Sequence, residues 1–212
     1  MDKINDYRRT KYCPELTNIH DKKKEVEKQI KEVHPRAQDM HTYVSDNSDK
    51  FKLEFMKAYN FKCAYCGVSH DLLQKDVFEI DHFLYKKTPM FIKKKDAGYV
   101  ENLVLACRYC NRNKGSFEIK DEQYNQLHPD GEGIKKSFIR DKQYYIRINN
   151  SSNVNKSIVE FYEKLKLGSE LHRLDYLLMN IIGMKREHSN DEKLCVGLGQ
   201  ILDILRAKRN IM

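Results

Sequence analysis

The chain has no tryptophan, no apolar run approaching membrane-spanning length, no internal repeat and no low-complexity tract. Without about 20 consecutive apolar residues there is no segment to cross a bilayer as a helix. The first residues, MDKINDYRRTKYCPEL, place no apolar segment behind their charges, so they do not read as a secretory signal. A cytoplasmic protein with no membrane partner is the expectation. Hydrophobic residues make up 40%, enough for a core but not a generous one. At 212 residues the chain suits one domain, or a small domain with helical additions. Charged residues make up 33% and the net charge is +8. Such a balance favours a polyanionic partner, because cations that neutralise phosphates release counterions.

Cysteine is scarce but patterned. Four of the six form two Cys-x-x-Cys pairs: Cys63 and Cys66 in FKCAYCG, Cys107 and Cys110 in LACRYCNRNKG. In a reducing compartment such pairs read as metal ligands rather than disulfides. Two intervening residues let one tight turn aim both sulfurs at one ion, and four thiolates satisfy a tetrahedral zinc. A zinc so enclosed has no position for water and is structural, replacing core that a small module lacks. Cys13 and Cys195 read as ordinary thiols, Cys195 packed in a helix.

Periodicity divides the chain into four stretches. Residues 1–50 form a charged arm with one helix at roughly 17–34, where Val26, Ile30 and Val33 recur at helical spacing before Pro35. Residues 51–118 hold both cysteine pairs. There, Phe51, Phe55, Met56 and Tyr59 share a helical face, DVFEIDHF and NLVLAC read as short strands, and RYCNRNKG begins a helix ending near Gly115. A lysine-rich loop separates the strands. Residues 119–150 read as a loop and small hairpin, from the turn signals at Pro129-Asp130-Gly131 and the alternation around Tyr145 and Arg147. Residues 151–212 are helical, with three apolar faces expected to build core, the last made by Leu194, Leu198, Ile201, Leu202 and Leu205.

Between the cysteine pairs lie Asp81 and His82 in FEIDHF and Asn102 in ENLVLA; Asn111 directly follows Cys110. Imidazole titrates near neutrality, so a neutral His82 can take a proton from water. Asp81 and Asn111 offer hard oxygens suited to magnesium or manganese. Successive strand side chains point to opposite faces, so Asp81 and His82 share a site only if the strand ends or bends there. The other histidines read as surface or packing residues, His128 before Pro129 being the one to revisit.

The order Cys-x-x-Cys, Asp-His, Asn, Cys-x-x-Cys-Asn-x-x-Lys, over residues 60 to 117, resembles the HNH endonucleases. The resemblance implies an α+β fold: a small ββα-metal core with a structural four-cysteine zinc, embedded in mainly helical extensions. It implies His82 as general base, Asp81 and Asn111 as ligands of a catalytic Mg2+ or Mn2+, and Asn102 as the residue that ties down the loop after the histidine. Lys114 matches a residue that could meet a phosphate, and Lys86, Lys87, Lys93, Lys94, Lys95 and Arg112 are further candidates for nucleic-acid contact. Many members carry histidine where this chain has Asn111, which favours magnesium over softer ions. The implied reaction is hydrolysis of DNA to 5′-phosphate and 3′-hydroxyl ends. Size and layout are also similar to HNH effectors of bacterial anti-phage systems, including Septu-type defence with an ATPase partner. A zinc-ribbon nucleic-acid binding module without turnover is the alternative.

Overall fold

The computed structural model describes residues 6–46, 50–151 and 154–211, and the fold is α+β. Helix α1 (Ile19–Val33) buries Ile19, Lys23, Val26 and Ile30, while Val33 faces solvent. Pro35 cannot continue the helix, and the backbone N–H of His34 closes its end on the Ile30 carbonyl. A single turn, α2 (His41–Val44), follows; Asp39 Oδ1 accepts from the His41 backbone N–H at 3.0 Å, and Met40 and Val44 are buried. Helix α3 (Lys50–Ala58) presents Phe51, Phe55 and Met56 to the core, and Tyr59 is buried just beyond it.

Strands β1 (Phe78–His82) and β2 (Leu103–Cys107) pair antiparallel, with Phe78 opposite Cys107 and His82 opposite Leu103. Helix α4 (Arg108–Lys114) begins as β2 ends. Asp81 and His82 lie on β1 and Asn111 on α4, while Asn102 immediately precedes β2. All of β2 is buried, as a strand covered on both faces must be.

Residues 119–150 depart from the expected loop and hairpin. The hairpin is present as β3 (Phe138–Arg140) and β4 (Ile146–Ile148), but two short helices precede it, α5 (Asp121–Leu127) and α6 (Glu132–Ser137). Leu127 and Ile134 are both buried, so the Pro129-Asp130-Gly131 turn joins two packed helices. The turn signals are real; what they connect depends on burial that short windows do not show.

Helices α7 (Lys156–Lys164), α8 (Glu170–Glu187) and α9 (Glu192–Asn210) complete the chain. The third face was expected to build core, yet α9 buries only Leu198 and Leu202; Ile201 and Ile204 are exposed. Helix α9 packs on α8 at the rim, so only one strip of it is covered. One apolar cluster runs from Tyr7 through the strands to Met179. No described helix is long and apolar enough to cross a membrane.

Candidate functional site

The four sulfurs of Cys63, Cys66, Cys107 and Cys110 lie within 4.8 Å of one another, and all four cysteines are buried. Sulfurs ~2.3 Å from a tetrahedral ion sit about 3.8 Å apart, and Cys66 Sγ to Cys107 Sγ is 3.9 Å. The cluster fits a closed zinc site, and no disulfide competes, all six cysteines being free thiols. The first knuckle turns at Gly67, whose φ is +81°, and a Cβ there would lie 2.7 Å from the Arg8 Cβ. Glycine is needed for both the conformation and the approach. Arg8 is buried and donates to the Ala64 and Pro129 carbonyls, fastening the arm to the knuckle. His172 of α8 brings Nε2 to 3.8 Å from Cys110 Sγ, so the C-terminal helices also reach the cluster.

Glu79 and Asp81, two apart on β1, face α4, where Arg108, Asn111 and Lys114 recur at helical spacing. Asp81 is buried: its Oδ2 accepts from the Tyr65 hydroxyl at 2.6 Å, and both oxygens meet the Lys114 ammonium, Oδ1 at 3.1 Å and Oδ2 at 3.0 Å. Lys114 Nζ also donates to the His82 carbonyl at 2.8 Å. Burial pushes the Asp81 carboxyl above the usual carboxylate range, opposed by Lys114 and Tyr65. The Lys114 side chain has no exposed surface, so its ammonium holds Asp81 and the strand end rather than facing solvent, where a phosphate contact was expected.

Asn111 Nδ2 donates to Glu79 Oε2 at 2.7 Å. A carboxylate can only accept, so the amide nitrogen must face Glu79, and among the described residues no donor reaches Asn111 Oδ1. Arg108 Nε holds the other Glu79 oxygen at 3.1 Å. Glu79, Asp81 and Asn111 thus put hard oxygens along the β1–α4 seam. By type those donors suit a magnesium- or manganese-sized cation, but Asp81 is already paired with Lys114 and Glu79 with Arg108, and among the described residues only the four cysteines converge as a metal-holding group.

His82 closes β1 and is half-buried. The strand ends there: the next N–H, of Phe83, donates to the Asn102 carbonyl, and Leu84 turns away. Asn102 is fully buried and makes three bonds, its Oδ1 accepting from Leu84 N at 2.7 Å and its Nδ2 donating to Leu84 O at 3.1 Å and Ala97 O at 2.8 Å. One side chain therefore pins both ends of the loop after His82. The His82 ring stacks on His41 of α2, centroids 4.4 Å apart. Burial, then His41, Lys86 and Lys114, push His82 down to about 3, so the ring is neutral at pH 7.

Lys86, Lys87, Lys93 and Lys95 of that loop are exposed, as is Arg112 on α4; the Lys94 side chain lies outside the described residues. Three residues at the site were not anticipated. Glu79 sits two positions before Asp81 and was legible from strand alternation. Tyr65 and His41 are far away in sequence and had no such signal. His128 is buried, with Nδ1 accepting from Asp130 N at 3.2 Å and Nε2 at 3.2 Å from Glu101 O.

These features define a strand–strand–helix unit beside a four-cysteine cluster, with a carboxylate and an amide at its seam and a histidine at the end of its first strand. Residues 63–117 match the model of the HNH endonuclease family. The chain thus carries an HNH endonuclease domain, covering about a quarter of its length. No match to a curated protein or to a solved structure was found.

Proposed function

We propose that the chain is a metal-dependent endonuclease that hydrolyses DNA phosphodiester bonds at the end of β1. The observation that carries this reading is the HNH-family match over residues 63–117, within which His82 ends β1 directly after Asp81 and Asn111 lies on the helix that faces that strand. His82 accepts a proton from the attacking water. An arriving phosphate counters Lys86, one of the cations that, after burial and His41, lower the basicity of the ring. Bound Mg2+ or Mn2+ supplies charge relief on the phosphate and the leaving oxygen, and Asp81, Asn111 and Glu79 are the side chains that would hold it. Glu79 turns the Asn111 oxygen outward, Lys114 and Tyr65 hold the Asp81 carboxylate, and Asn102 holds the backbone that carries His82. Lys86, Lys87, Lys93, Lys95 and Arg112 are the exposed cations placed to meet the backbone of the nucleic acid. The zinc stays outside the chemistry, fixing α4 against the sheet.

Purified protein with magnesium or manganese should nick plasmid DNA. His82→Ala should abolish nicking with zinc content unchanged. DNA retention without cutting in any divalent metal would instead identify a binding module. An ATPase partner in a bacterial anti-phage system is part of this proposal, and the exposed Val196, Ile201 and Ile204 of α9 offer a protein partner of any class an apolar face. Recovery of a protein that is fully active alone would count against an obligate partner.

A further inference from the structure

The N-terminal arm lies outside the matched segment, yet it reaches the catalytic histidine. His41 and His82 stack with an interplanar angle of 28°. Residues 95–98 hold the arm there. Met40 N donates to Gly98 O at 2.8 Å, and Lys95 Nζ donates to Gln38 Oε1. Buried Met40 and Val44 anchor α2. Gly98 permits the approach: a Cβ there would lie 1.9 Å from Asp39 Oδ1 and 3.3 Å from the Asp39 Cα. The contacts close into a ring. His82 leads to Leu84, which Asn102 ties to Ala97; Gly98 binds Met40; and His41 returns to His82.

We propose that His41 is a positioning residue for His82, so that the arm completes the active site. Asn102 fixes both ends of the loop that follows the base but does not set the rotation of its imidazole. The stacked His41 ring does, because a flat neighbour at van der Waals separation leaves one broad face of His82 covered and its edge free for water. Aiming matters for a proton acceptor, since a displacement of about 1 Å at a reacting group can cost roughly a hundredfold in rate.

This inference rests on His82 being the base, and the test separates the two. Zinc-loaded protein is assayed for magnesium-dependent plasmid nicking as wild type, His82→Ala, His41→Ala, His41→Phe and Gly98→Ala. His41→Ala should lose about ten- to a hundredfold in kcat with little change in KM, keeping its zinc and melting temperature. His41→Phe, which restores a flat ring, should recover most of that loss, and Gly98→Ala, which displaces the Asp39 carboxylate that accepts from the His41 N–H, should reproduce part of it. In NMR spectra the His82 ring-proton resonance should move in His41→Ala through loss of the neighbouring ring current. Loss of cutting in His82→Ala beside undiminished cutting in His41→Ala, or an unmoved His82 resonance, overturns the positioning role alone. Full cutting in His82→Ala overturns the assignment of the base.

Discussion

Replacing Lys114 with methionine tests whether the β1–α4 seam is held by a buried charge. The substitution keeps the apolar stem and removes the ammonium. Asp81 then retains only the Tyr65 hydroxyl, and the His82 carbonyl loses its 2.8 Å donor. At 3.0 Å and an effective dielectric near 20, the lost attraction is about 5 kcal/mol before solvation. Breaking one side of a buried pair costs about 3–5 kcal/mol in practice. For a chain of this size that is a fall of roughly 10 °C in melting temperature. The deficit should depend on pH in a definite sense. Burial already raises the Asp81 carboxyl above its unfolded value, and losing Lys114 raises it further. A raised carboxyl favours folding where it is protonated and loses that advantage as pH rises through its folded value. The Lys114→Met deficit should therefore be larger at pH 8 than at pH 5. Asp81→Asn/Lys114→Met should recover much of it, having no buried charge left unpaired. Urea denaturation of zinc-saturated wild type, both single variants and the double gives the coupling energy directly. A Lys114→Met protein within about 0.5 kcal/mol of wild type, with weakened and less salt-sensitive DNA binding, would refute the buried-pair reasoning and return Lys114 to a phosphate.

Other outcomes can be checked alongside. Zinc binding to such a cluster is worth about 10–16 kcal/mol, comparable to or above whole-domain stability, so chelation should unfold the core; circular dichroism and dye-detected zinc release should then share a midpoint, and complete release with an unchanged spectrum counts against a structural zinc. Glu79→Ala should free the Asn111 amide and weaken manganese affinity about tenfold or more by calorimetry, with zinc content unchanged; unaltered affinity removes Glu79 from that role. His128 is pushed by burial from 6.5 down to about 4, so it favours folding only while neutral; it should withdraw stability between those values as pH falls, about 3 kcal/mol in all. His128→Gln should show a correspondingly shallower acid limb in urea titrations, and parallel limbs would assign the acid sensitivity elsewhere.

How legible this protein was in its sequence differs from element to element. The cysteine spacing announced its cluster, because Cys-x-x-Cys is a local geometry that short-range backbone dictates. The FEIDH and LVLAC strands and the helix opening at Arg108 followed from periodicity, as did α1 and α3. The helices α5 and α6 were hidden because each is barely two turns and owes its existence to Leu127 and Ile134 being buried by other segments. The exposure of α9 was hidden for the converse reason: an apolar face says what could be covered, not what is there to cover it.

By itself the sequence determined the ligand types and their order: four thiols, an Asp-His pair and two asparagines within one short segment. These properties are covalent and local. Only the tertiary structure decided who touches whom. It turned Lys114 inward to Asp81, laid Tyr65 of the zinc knuckle on that same carboxylate, faced Asn111 to Glu79 and brought His41 from the arm onto His82. Those pairings depend on burial and on the close approach of segments distant along the chain, which no local pattern encodes.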